Sequence, residues 1–290
     1  MAHDHHHEDN EALLRRAFAL IAGFMLIEVI GGLLANSLTL LADAGHMFLD
    51  ASALGFSWYA LKLSRRLDDE RLSYGYHRWQ VLAAFINGLT LMALVLWVLV
   101  EAWERLQTPQ QMLAAPALVV ASVGLVVNLI AYRWLHSAHE NSAVESAALH
   151  VLGDILGSVS AIVAALTVMF TGWPYADPLL ALVVAAILGR GAWRVLSQSA
   201  HILLEGVPEG VNLETIAATL TARVPGVADV HHLHAWALTA EKPLLTLHAS
   251  VNEPGDLGEV VRNMKAVLHS EFGITHSTIQ VEHGRCPDHR

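Results

Sequence analysis

One polar pattern occurs twice in otherwise apolar surroundings: His46 with Asp50, and, about a hundred residues later, His150 with Asp154. Members of each pair are four residues apart, so on a helix both project from one face. Two such faces turned toward each other supply two imidazoles and two carboxylates, the ligand types and number that a tetrahedral zinc site takes. An ionisable group in mid-bilayer costs roughly 2.5–3.5 kcal/mol on insertion scales, so it marks a pathway or a paired site. A single such residue is as readily an interhelical hydrogen bond; the repeated spacing favours a metal site buried in a membrane.

These ligands bind metal only when deprotonated, and imidazole as a class changes charge near pH 6.5. One set of four side chains therefore holds either Zn²⁺ or protons. Their competition implies an exchange cycle in which metal leaves on one side, protons load, and the protonated site returns. Asp43, three residues before His46, reads as a helix-end or approach-path carboxylate rather than a ligand. Glu28, Asn87 and Asn128 also lie in apolar stretches and read as cavity-lining or helix-bonding groups.

The elements that would carry these residues are membrane helices. Hydrophobic residues make up 54% of the 290-residue chain and charged residues only 15%, against about 25% charged in a soluble domain. Mean hydropathy is +0.44. Six stretches of roughly twenty mainly apolar residues, near 13–35, 38–62, 80–104, 113–135, 144–171 and 177–200, are predicted to span a bilayer. Small residues Ala44, Gly45, Gly153 and Gly157 flank the motifs and would let their helices approach closely. With the N-terminus cytoplasmic, ten Lys or Arg residues between Arg15 and Arg194 fall on the cytoplasmic side and only Arg105 opposite; that asymmetry places both termini in the cytoplasm. Trp97, Trp103, Trp134, Trp173 and Trp193 sit near span ends, as interfacial anchors do.

Composition changes after Glu205. Residues 212–223 read as an amphipathic helix, 227–237 and 244–251 as strands, the segment around Val260–Leu268 as a helix and 277–282 as a last strand. The fold class is therefore a six-helix membrane protein followed by a small α+β domain of order α-β-β-α-β, divided as 1–12 (His-rich segment), 13–204 (membrane domain) and 205–290. The net charge of −10, from 27 acidic and 17 basic residues, argues against nucleic acid as a partner. Cys286 is the only cysteine, so no internal disulfide forms. No small-residue cleavage site follows a short apolar core, so no removable signal peptide is expected.

With its six spans, paired His-x-x-x-Asp motifs and the later run Val230-His231-His232-Leu233-His234-Ala235-Trp236, the chain resembles the cation diffusion facilitator family over nearly its whole length. The likeness is greatest to the zinc branch, whose transport site has two His and two Asp, which maps onto His46, Asp50, His150 and Asp154. The resemblance implies Zn²⁺ export with H⁺ as counter-ion, alternating access, a homodimer, and a ferredoxin-like cytoplasmic domain that binds regulatory metal. Co²⁺ would fit the same ligands. In that domain the family's ligand positions match His231, His248 and Glu282, with His234, His276, His283 and Cys286 as further donors. Strand alternation puts His232 on the face opposite His231. Before the third span, Ser73–Arg78 resembles the family's approach sequence; His77 and Asp69 are what remains of a loop zinc site. Arg78 and Glu205 are the candidates for a loop-to-domain charge pair.

The N-terminal tract His3-Asp4-His5-His6-His7-Glu8-Asp9 is a chelating segment, disordered by composition, that would collect cytoplasmic zinc. Two other functions compete. An intramembrane zinc enzyme would use His-Glu-x-x-His, which is missing, and an open coordination position. A metal-gated channel would need weaker binding than four protein ligands give, and a metal receptor would signal through the C-terminal domain. The short 137–141 loop lacks a His-rich insertion, which favours a bacterial inner membrane over a eukaryotic vesicle.

Overall fold

The computed structural model describes residues 2–49, 52, 72–136, 142–252, 256–283 and 286. Two compact units form: Met1–Phe56 with Ile86–Val195, and Ser57–Phe85 with Leu196–Arg290.

The first unit is helical. Its elements are α1 (Ala2–Ala35), α2 (described over Leu38–Leu49), α3 (Arg78–Gln107), α4 (Ala114–His136), α5 (Ser142–Thr171) and α6 (Ala176–Leu203), with α3 and α6 continuing beyond it. Among the described residues, α3, α4, α5 and α6 contain apolar stretches long enough to cross a membrane, and Ala19–Ala35 and Leu38–Leu49 are shorter apolar helices at the first two expected spans. Residues 2–12 are helical rather than disordered. Extending an existing helix needs only one more bond per residue, whereas starting one is costly, so the tract continues the helix that the apolar span nucleates.

Lipid supplies no hydrophobic force between helices, so close packing relies on small residues. Accordingly Ala35, Ala42, Ala102, Ala121, Ala165 and Ala181 are fully buried, while Leu34, Phe170, Ile187 and all five Trp anchors face outward. Asn36 turns the chain between α1 and α2 at φ 53°, a left-handed conformation that Asn tolerates because its side chain bonds locally. The Ser37 N–H donates to Gly32 O at 3.0 Å and closes the end of α1.

The start of α2 is held by a residue far away in sequence. Asp177 Oδ2 accepts the Leu38 N–H at 2.7 Å, and Oδ1 accepts the Ser37 hydroxyl at 2.7 Å and the Thr39 N–H at 3.2 Å. A carboxylate there satisfies orphan first-turn donors and faces the positive helix end. Arg105 Nη1 lies 3.7 Å from Asp177 Oδ2 and donates to Asn36 O at 2.7 Å, while its Nε donates to Glu101 at 2.9 Å. Both Arg105 and Asp177 are buried. The one basic residue on the wrong side of the charge asymmetry is thus consumed in a structural knot.

In the second unit, α7 (Leu213–Arg223), β1 (Val227–Ala237), β2 (Pro243–Val251), α8 (Leu257–Phe272) and β3 (His276–Glu282) follow the expected α-β-β-α-β order. β2 is central, antiparallel to β1 and parallel to β3. Asn212 caps α7 through the Thr215 N–H at 2.9 Å. Asp256 caps α8 through the Gly258 N–H, and Gly273 ends it at φ 65°. The Glu259 and Gly258 N–H groups hold the Asp256 carboxyl below its ordinary pKa. Along β2, Leu245, Leu247 and Ala249 pack with Ile216 and Leu220 of α7 and Met264 and Leu268 of α8. Both helices therefore cover one sheet face, and His248, of opposite parity, belongs to the other.

Candidate metal centres

His231 and His248 are directly paired across β1 and β2, and Glu282 closes β3 opposite Ser250. Together with Cys286 they form a cluster in which one ligand atom from each lies within 4.8 Å of every other. Glu282 Oε1 is 2.9 Å from His248 Nδ1, and Oε2 is 3.3 Å from His231 Nε2. Cys286 Sγ is 3.5 Å from His248 Nδ1. Zinc at bond lengths of ~2.0–2.3 Å holds tetrahedral donors roughly 3.3–3.8 Å apart, so small side-chain movements close this set on an ion. His231 Nδ1 is 3.0 Å from Asp229 Oδ2, which turns its other nitrogen toward Glu282. A carboxylate behind a ligating imidazole fixes its tautomer and raises its basicity. Burial pushes the Glu282 carboxyl up, but the Gln280 amide, the Cys286 thiol and the His248 and His231 imidazoles outweigh it and hold its pKa below the ordinary value.

His232 departs from the expected alternation. Pairing runs His231 with His248 and then His234 with Thr246, so β1 carries one extra residue there. That is a bulge, which breaks parity, and His232 sits in it at φ 49°. Its ring lies 5.4 Å from that of His231 and 5.0 Å from that of His248, centroid to centroid. The other candidate donors are spread more widely. His234 lines a cavity of about 780 Å³ with Arg78, Glu205 and Trp236. His276 is at the far end of β3 from Glu282, edge-on to Tyr74 at 6.1 Å. His283 is exposed. His77 receives the Lys242 ammonium at 3.1 Å, a cation that disfavours a second cation beside it. Asp69 lies outside the described residues. Arg78 and Glu205 do pair, at 3.0 Å.

Within the first unit, His46 is half-buried on α2 and Asp154 buried on α5. Asp50 and the side chain of His150 lie outside the described residues. α2 and α5 touch where a Cβ on Gly157 would meet Asp43 Oδ1 at 2.1 Å. Asp43 is buried, and Glu28, Asp43 and Asp154 lie within electrostatic reach of one another. Asn128 bridges α4 to α5 by donating to Ser158 Oγ at 3.3 Å. Sequence reasoning missed Asp177 and Arg105; the signal available was an acidic residue in the first turn of a span and a lone basic residue on the wrong side.

Apolar helices with buried ionisable groups, followed by a small domain carrying a metal-ligand cluster, define a multi-pass membrane protein that handles metal cations. Residues 14–204 match the family profile "Cation efflux transmembrane domain" and residues 208–284 "Cation efflux protein, cytoplasmic domain". The chain belongs to this cation efflux family, the cation diffusion facilitators, and is a transporter rather than an enzyme. It is 44% identical to zinc transporter ZitB of Pectobacterium atrosepticum, covering 99% of this chain and 91% of that one. Identity is 42% to zinc transporter ZitB of Escherichia coli, covering 99% and 94%. It is 38% to the "Cadmium, cobalt and zinc/H(+)-K(+) antiporter" of Bacillus subtilis, covering 97% and 92%.

Proposed function

We propose that the chain exports Zn²⁺ from the cytoplasm by alternating access, in exchange for protons, through a site made of His46, Asp50, His150 and Asp154. The observation that carries the reading is the Asp43–Gly157 contact. Successive spans run in opposite directions, so the second and fifth are antiparallel. One turn onward from Asp43 and one turn back from Gly157 sets His46 opposite Asp154. Asp50 and His150, the remaining members of the two motifs, would complete the set. A single contact thus supports a register in which His46 faces Asp154, and four donors of zinc type would surround one point. The relatives' names support the cargo and, for the Bacillus protein, H⁺ as counter-ion; Co²⁺ is a second cation that the ligands suit.

His231, His248 and Glu282, with Cys286, fit a divalent metal through their donor set and the Asp229 brace, and would hold a regulatory zinc. The domain limits 1–12, 13–204 and 205–290, a homodimer, and a bacterial inner membrane with both termini cytoplasmic complete the reading. Zinc uptake into proteoliposomes containing a trapped pH dye tests it. The parent should move zinc with an opposing proton flux, and Asp50→Ala and Asp154→Ala should lose both. Zinc flux undiminished in both variants removes the site, and zinc flux without a pH change removes the coupling.

A further inference from the structure

We infer that His232 is a ligand of the C-terminal metal site, a third imidazole beside those of His231 and His248. The inference rests on reading that cluster as a metal site and extends its membership. In an unbroken strand His232 would point toward the helices that cover the core face. The extra residue between the His231–His248 and His234–Thr246 pairs instead puts His231 and His232 on the same open face, while Leu233 packs against the core.

The bulge is made at His232 itself, in the left-handed region at φ 49°. Glycine or asparagine occupies that region most readily. Histidine enters it more often than most other side chains do, and left-handed non-glycine residues cluster at functional sites. Its surroundings say which function. The three rings lie 5.0, 5.4 and 5.7 Å apart, at interplanar angles of 50°, 78° and 65°. Three imidazoles on one tetrahedral zinc, bonded at ~2.0–2.1 Å, have centroids roughly 5 Å apart; the His232 nitrogens stand outside the donor set mutually within 4.8 Å, so its ring must turn inward as the ion binds. Glu282, 2.9 Å from His248 and 3.3 Å from His231, supplies the negative fourth donor. Cys286, 3.5 Å from His248, stands as an additional thiol.

The test uses the full-length protein in detergent, titrated with Zn²⁺ against a competing chelator, and its melting temperature with and without zinc. His232→Gly removes the imidazole and relieves the left-handed backbone, so the metal-free protein should melt at or above the parent temperature. The same variant should bind one zinc equivalent at least about tenfold more weakly and lose most of the zinc-induced rise. A purely structural role predicts parental zinc affinity in His232→Gly. His248→Ala calibrates the parent reading. If His248→Ala loses the equivalent and His232→Gly keeps it, the inference is overturned while the metal site stands. If both keep it, the cluster holds no zinc and the inference falls with it. His232→Asn, also tolerant of positive φ, replaces His232→Gly should the latter not fold.

Discussion

Gly157→Ala measures how closely the two motif helices must approach. The added Cβ would lie 2.1 Å from Asp43 Oδ1, 2.5 Å from Cγ and 2.7 Å from Oδ2, where ordinary contact begins near 3.4 Å. Something must yield by about 1.3 Å. Asp43 is only 2% exposed and Glu28 is fully buried nearby; if that packing holds the carboxylate in place, the displacement passes to the helix axes. Overpacking of this kind costs typically about 1–3 kcal/mol, which leaves the protein folded. Zinc sites, however, hold ligand distances to about ±0.2 Å. If the strain is relieved only when α2 and α5 separate, metal binding must overcome it. At about 1.4 kcal/mol per tenfold, zinc affinity then falls roughly 5- to 150-fold.

Initial zinc uptake by proteoliposomes, measured against concentration, should show KM rising over that range while the variant is still expressed and folded, its melting temperature lowered by several degrees. Gly191→Ala is the control, because its Cβ would meet nothing within 4 Å. Unchanged KM in Gly157→Ala, or equal impairment in Gly191→Ala, refutes the reasoning.

Three further outcomes follow from the structure. Asp177→Ala strands the first-turn donors of α2, while Arg105 keeps Glu101 and Asn36, and should cost roughly 1–3 kcal/mol in reversible unfolding in mixed micelles; a cost under about 0.5 kcal/mol would show that the knot is idle. Asp229→Ala removes the brace behind His231, so zinc affinity of the C-terminal site should fall about tenfold by chelator competition while the metal-free melting temperature holds. Deleting residues 3–7 should raise the zinc concentration needed for half-maximal uptake without abolishing transport, and complete loss of uptake would contradict a collecting role.

Legibility of the chain differed by level. Helical stretches and the C-terminal order were readable because hydrophobic periodicity is a local property: the Val227–Ala237 strand was delimited from its alternation alone, and it occupies those residues. The i, i+4 motifs were readable for the same reason. His232 was not, because parity arguments assume an unbroken ladder, and a bulge is decided by pairing with β2. The burial of Asp43 was not readable either, because its closest approach is to Gly157 on another helix.

Asp177 shows why membrane domains hide their polar framework from sequence inspection. In water, a helix start announces its cap within a few residues, as Asn212 and Asp256 do here. In lipid, an unsatisfied first-turn N–H has no water to fall back on, and the carboxylate that satisfies it can come from any neighbouring helix. For α2 it comes from Asp177, 139 residues beyond Leu38. That carboxylate then needs its own counter-charge, which α3 supplies through Arg105. A lone Arg that spoils an otherwise one-sided charge distribution is therefore evidence for a buried acidic partner at the same depth, and the pair should be sought at the ends of other spans.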